Sequence, residues 1–125
     1  MSIKPLAVFR QLTAAMILSA IGTSALAAGA LAIDGYRGQY GFVNNTSSVA
    51  QAEQQALKDC GTGCQVVLRF EHGCAAYATD HSGDSRAYGW GALKTVTEAE
   101  TRAMAACEAR GGKSCKIQSS GCNKS

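Results

Sequence analysis

Only two histidines, His72 and His81, are available as proton carriers, and each has a carboxylate or hydroxyl close by in the chain. His81 stands in "TDHSGDSR" (79–86) with Asp80, Ser82, Asp84 and Ser85, so a serine, a histidine and an aspartate are all present. They crowd one turn, whereas a hydrolytic triad holds nucleophile, base and orienting group from separate rigid positions. No Gly-x-Ser-x-Gly stretch supplies a nucleophile elbow. The simpler reading is a polar turn whose Asp80 bonds to its own backbone. His72 beside Glu71 likewise reads as a solvated strand-end residue rather than a general base. A small envelope hydrolase using His81 with Ser82 or Asp84, or His72 with Glu71, is the enzymatic alternative; no catalytic residue is assigned.

The six cysteines, Cys60, Cys64, Cys74, Cys107, Cys115 and Cys122, offer redox chemistry, metal binding or cross-linking. "CGTGC" (60–64) is a poor redox pair. Redox motifs space the cysteines by two residues and set the attacking thiolate at a helix N-terminus, which lowers its pKa. Here three residues intervene, and the first cysteine closes a predicted helix, where the helix field acts the other way. Zinc is disfavoured because an oxidising compartment consumes thiols and the second cysteine set has no histidine beside it. Neither metal nor cofactor is expected. An even number of cysteines in a small exported chain reads as a disulfide framework. Of fifteen pairings, one respects strand geometry and internal symmetry. Cys64 and Cys74 bracket an extended segment whose ends lie too far apart for a bond. Cys60 to Cys64 and Cys107 to Cys115 need only short turns, leaving Cys74 with Cys122 to link matching strand ends of two halves.

The third cluster is aromatic. Tyr40-Gly41-Phe42 and Tyr88-Gly89-Trp90-Gly91 place rings beside backbone without side chains. Strand alternation sends the rings to one face and the glycines to the other. Such a face either packs against alanine-rich helices or docks a peptide, glycan or protein. Tyr40, Phe42, Tyr88 and Trp90, with Arg69 from a strand with one wet face, are the candidate binding residues.

The elements that position these residues are written twice. With Cys60 placed over Cys107, an offset of 47, "SVAQAEQQALKDC" (48–60) lies over "TVTEAETRAMAAC" (95–107). Ser48 with Gln51 and Thr95 with Glu98 are matching capping-box candidates. Val49, Ala52, Ala56, Leu57 and Cys60 form one apolar stripe; Val96, Ala99, Ala103, Met104 and Cys107 form the other. Gly61 and Gly111 suit the helix ends. Upstream, "QYGFV" (39–43) resembles "AYGWG" (87–91) at an offset of 48, and "LAID" (31–34) matches "YATD" (77–80) at 46. Downstream stand "CQVVLRF" (64–70) and "CKIQ" (115–118), with "DGYRG" and "DHSGD" as turns. The expected fold is α+β: two β-β-α-β pseudo-repeats, about 30–74 and 76–122, sharing one mostly antiparallel sheet. Two helices, near 48–59 and 96–108, would pack on it, stapled by disulfides.

The N-terminal end reads as a leader. "MSIKPLAVFRQ" carries Lys4 and Arg10 without an acidic residue, "LTAAMILSAIGTSALA" is apolar, and small-x-small signals follow at 25–27 and 28–30. This is the layout of a secretory signal peptide over 1–27, with cleavage after 27 or as late as 30. The apolar run is shorter than the roughly 20 residues of a membrane span. Residues 28–125 then form one disulfide-rich domain, with no stable membrane insertion after cleavage. Twelve Lys and Arg against nine Asp and Glu give the chain +3; without Lys4 and Arg10 the balance is ten against nine. A charge near +1 with dispersed basic residues is no footprint for nucleic acid.

"ALAIDGYRGQYGF", "AEQQALKDC", "GCQVVLRFEHGCAAYA", "YGWG", "AETRAMAAC" and "CKIQSSGC" together resemble the domain-of-unknown-function family numbered 4189, over most of residues 30–122. That family usually opens on a more aromatic strand, where this chain reads "GALAI". The resemblance implies a bacterial envelope or secreted location, periplasmic or beyond, and brings no activity or catalytic residues. The expected function is an exported, non-catalytic binding or inhibitory module whose partner is a protein, peptide or envelope polymer. A structural envelope component is the further alternative.

Overall fold

The computed structural model describes residues 27–124; the expected signal peptide lies outside the described residues except for Ala27. The elements run β1 (Ala28–Asp34), β2 (Gln39–Thr46), α1 (Val49–Cys60), β3 (Gln65–Phe70), β4 (Cys74–Asp80), β5 (Ala87–Leu93), α2 (Val96–Ala109) and β6 (Lys116–Cys122). Every expected helix and strand is present within a few residues of its sequence motif.

The helices begin where their caps dictate. Thr95 accepts a hydrogen bond from the Glu98 amide (3.1 Å) while the Glu98 carboxylate takes the Thr95 N–H, a closed capping box. Ser48 accepts from the Gln51 amide in the same way, but the Gln51 side chain reaches the Ser47 N–H instead. At the other end Gly61 carries φ 104° and its N–H bonds to the Leu57 carbonyl.

The expectation of one shared sheet is corrected. Among the described residues there are two three-stranded antiparallel sheets, ordered β2-β1-β3 and β5-β4-β6. In each, the first strand of its half lies in the centre with both edges hydrogen-bonded by its own neighbours. The reason lies in the faces of those central strands. On β1, Ala28, Ala30 and Ala32 pack against Ala52, Ala56 and Cys60 of α1. On β4, Cys74, Ala76 and Ala78 pack against Ala99, Ala103 and Cys107 of α2. The opposite faces carry Leu31, Ile33 and Tyr77, joined by Tyr40, Phe42, Leu68, Tyr88 and Trp90. One sheet with both helices on a single side would leave that second apolar set in water. Stacking the two sheets buries it, giving the layer order helix, sheet, sheet, helix.

Each helix lies very close to its sheet. A Cβ at Gly41 would sit 2.1 Å from the Ala56 carbonyl oxygen, and one at Gly89 would sit 2.3 Å from the Cys107 nitrogen. Only alanine and cysteine fit along the contact line, so the larger members of the expected stripes are displaced to its flanks. Leu57 and Val96 are exposed and Met104 is half-buried.

The three disulfides are Cys60–Cys64, Cys107–Cys115 and Cys74–Cys122, the pairing expected. One detail differs. Cys74 opens β4 rather than closing β3, because the chain reverses through Gly73 (φ 80°), and Cys74 stands directly opposite Cys122 in the ladder. That bond therefore closes the second sheet and does not tie one half to the other. The halves are joined by the sheet–sheet core and by asparagine clamps. The Asn44 Nδ2 donates to the Cys122 carbonyl (2.8 Å), the Asn45 N–H donates to the Asn123 side chain (2.8 Å), and Asn123 Nδ2 donates to the Phe70 carbonyl (3.0 Å).

Candidate functional site

The glycines of β2 and β5 turn toward the helices, so the rings between them turn toward the opposite sheet, as alternation requires. The two aromatic sets then diverge. Tyr40 packs on Tyr77, ring centroids 5.1 Å apart, and Phe42 packs on Phe70 at 6.0 Å, so both serve the sheet–sheet core. Burial, with Tyr40 and Tyr88 close by, pushes the Tyr77 phenol up to about 12.

Tyr88 and Trp90 belong to the outer strand β5 and remain half-buried. Their rings stack, 5.9 Å between centroids and 18° between planes. Arg110, at the end of α2, folds back over this pair. Its guanidinium lies 4.5 Å from the Tyr88 centroid and 5.1 Å from that of Trp90, and Nη1 donates to the Tyr88 carbonyl at 2.9 Å. The hydrogen bond and the two cation–π contacts fix an otherwise long, mobile side chain.

A second arginine–aromatic pair adjoins the first. Gly35 lies against the Tyr88 ring, and the next residue, Tyr36, is 76% exposed. Arg86 sits 5.2 Å from the Tyr36 centroid and donates to its carbonyl at 2.8 Å. The surface so formed is Tyr36, Arg86, Tyr88, Trp90 and Arg110. Flat rings and held guanidiniums present large contact area with little side-chain freedom left to lose on binding.

Arg69 is not part of it. It projects from the other face of its sheet, where its Nε is bonded to the Glu53 carboxylate of α1. The two histidines do not converge either. His72 lies in the turn before β4 and His81 in the turn after it, so the seven residues of β4 hold them roughly 20 Å apart. Glu71 and Asp84 are exposed on those same two turns.

Asp80 is structural, bonding to the backbone of its own turn as expected. Asp80 is 1% exposed; its Oδ1 accepts from the Ser82 N–H (2.8 Å) and hydroxyl (2.6 Å), and its Oδ2 from the Lys113 (2.8 Å) and Ser114 (3.1 Å) N–H groups. The Ser82 hydroxyl, followed by these backbone donors, holds the carboxyl far below the usual carboxylate range. A carboxylate with four donors has no lone pair free for proton transfer to substrate. Asp34 occupies the matching place in the first half, accepting from the Tyr36 and Arg37 amides and from Arg37 Nε. Among the described residues no three His, Cys, Asp or Glu side chains gather as a metal-binding group.

Strand alternation in the sequence marks Tyr88 and Trp90 but not Tyr36, Arg86 or Arg110. A ring at the tip of the glycine-flanked turn "GYRG" was a local signal for the first. The contacts of both arginines span 20 or more residues and had no local signal. A family model described as Domain of unknown function (DUF4189) matches residues 28–122. Neither a curated protein nor a solved structure matches the chain.

Proposed function

The chain belongs to the family described as Domain of unknown function (DUF4189), and we propose that it is an exported, non-catalytic binding or inhibitory module. The observation that carries this reading is the pair of adjoining arginine–aromatic contacts, Tyr36–Arg86 and Tyr88–Trp90–Arg110. Interface anchors are typically aromatic and arginine side chains already held in place. A protein, peptide or envelope polymer with flat apolar segments and acidic or carbonyl acceptors fits such a surface. Enzymatic turnover has less support, since the two histidines lie at opposite ends of β4 and Asp80 is saturated by hydrogen bonds.

Export is supported by the leader-like sequence and by three disulfides, which persist in oxidising compartments. The periplasm or the extracellular medium is the proposed location. Of the two cleavage points, the one after Ala27 is preferred: cutting after Ala30 would remove Ala28, Gly29 and Ala30 from the central strand β1. An internal duplication accounts for the matching halves. Both centre-to-third-strand pairings slip at one point, between Leu31 and Ala32 and between Tyr77 and Ala78, which are 46 residues apart like their sequence motifs.

The test is differential capture. Oxidised protein beginning at Ala28 is immobilised and exposed to envelope extract, beside Arg110→Ala and Arg69→Ala. A species retained by the wild type and by Arg69→Ala but lost with Arg110→Ala supports the reading. Retention by all three places the binding surface elsewhere, and turnover of an envelope substrate that is lost in His81→Ala overturns the non-catalytic assignment.

A further inference from the structure

From a separate feature of the fold, we infer that the end of the second sheet holds a binding pocket for a compact oxyanion, centred on Thr79, His81 and Lys116. An open hollow of about 360 Å³ is lined by Thr79, His81, Ser82, Ser114, Lys116 and Gln118. Thr79 is 2% exposed, and its Oγ1 is buried without a hydrogen-bond partner among the described residues. A hydroxyl taken from water and left unpaired costs stability, so its presence calls for a partner.

The scaffold itself does not require that threonine. Thr79 stands between Tyr88 on β5 and Lys116 on β6. In the first sheet the same position, between Tyr40 on β2 and Gln65 on β3, is filled by Ile33, which is 6% exposed. Isoleucine satisfies the packing there with no polar atom to satisfy. The second half has exchanged it for a hydroxyl, and has set a lysine opposite where the first half has glutamine.

The lining chemistry selects the charge of the ligand. Lys116 supplies an ammonium, His81 at least one ring N–H, and Thr79, Ser114 and Gln118 further donors. The Ser82 hydroxyl is already given to Asp80. Asp80, the nearest carboxylate in sequence, follows Thr79 in the strand and turns to the other face, where the Lys113 and Ser114 amides engage it. Convergent donors with a cation and no free acceptor charge favour a carboxylate or phosphate group. The His81 ring packs against the turn of the first half at Gly38, where a Cβ would lie 3.0 Å from its Cε1.

Carboxylate and phosphate share this chemistry, and titration separates them. Isotope-labelled oxidised protein is titrated with sodium phosphate and, separately, sodium succinate at constant ionic strength, following backbone amide shifts. Saturable shifts confined to residues 79–82 and 113–118 with either anion are expected, and the better anion identifies the source. Lys116→Gln should weaken that binding about tenfold, the loss of one charge-assisted hydrogen bond. Thr79→Val should weaken it too, while raising the thermal midpoint of the anion-free protein because the unpaired hydroxyl is gone. Arg110→Ala should leave the anion affinity unchanged, which separates this site from the aromatic surface. Shifts from neither anion, shifts spread equally over amides near Lys58 and Lys94, or unaltered affinity in Thr79→Val would each overturn the assignment.

Discussion

Replacing Gly89 by alanine probes the contact that organises each half, the helix lying directly on a glycine of the neighbouring strand. Gly89 needs no positive φ, so its backbone conformation alone accepts alanine. In an open strand the change would stabilise by about 0.4 to 1 kcal/mol, by restricting the unfolded chain. Here the new methyl would lie 2.3 Å from the Cys107 nitrogen, 2.5 Å from the Ala103 oxygen and 2.7 Å from the Ala106 Cβ. Relieving those contacts requires α2 to rise by roughly 1 Å, lifting Ala99, Ala103 and Cys107 together off β4 and loosening its close-packed contacts. The helix cannot slide aside freely, because Thr95 caps one end and the Cys107–Cys115 bond fixes the other. The expected cost is about 3 kcal/mol, at the upper end for overpacking. For a domain of this size that corresponds to a fall of roughly 12 to 24 °C in Tm. Urea unfolding followed by far-UV circular dichroism, with the disulfides intact, measures it. Gly41→Ala, whose methyl would meet the Ala56 oxygen at 2.1 Å, should cost a similar amount in the first half. Neutral or stabilising behaviour of both variants would refute the close helix–sheet contact.

The disulfides should differ in worth with the chain they enclose. Removing Cys74–Cys122, which spans 48 residues, should cost about 4 kcal/mol, against about 2 for Cys60–Cys64, which spans 4; paired serine variants in urea measure both. Tyr77 makes the fold sensitive to alkali: the unfolded phenol ionises near 10 and the buried one near 12, so stability is full below pH 10 and falls as pH rises toward 12. Tyr77→Phe should flatten that decline in urea midpoints taken across the same range. Asp80 acts at the other extreme. Its carboxyl is depressed in the folded state, so the stability it contributes is present above the ordinary carboxylate range and lost as pH falls below it. Asp80→Asn should show a weaker acid dependence of the urea midpoint than the wild type.

Local features of the chain were legible before the structure. Caps at Ser48 and Thr95, alanine stripes, Asp34 and Asp80 in turns, and short cysteine spacings each involve residues within a few positions of one another. Pairing between distant segments was not. The clue to two sheets is that "AGALAID" and "CAAYATD" are apolar on both faces, the mark of strands covered on both sides. Taken instead as members of one half-exposed sheet, they gave the wrong number of layers. The same limit explains the sites. Alternation correctly sent Tyr88 and Trp90 to one face, but Arg110 reaches them only because α2 ends beside β5. The isolation of the Thr79 hydroxyl likewise depends on which strands flank it.

Trp90 is the sole tryptophan of the chain and belongs to the proposed binding surface, under the Arg110 guanidinium. Its fluorescence therefore reports on that surface without added labels. The partner recovered by capture, purified and titrated into the oxidised protein, should shift the emission to shorter wavelength and shield it from acrylamide quenching. Arg110→Ala should weaken the titration about tenfold or more, as expected for an interface anchor. Saturable binding with unchanged emission and unchanged quenching would place the partner on another face and contradict the account.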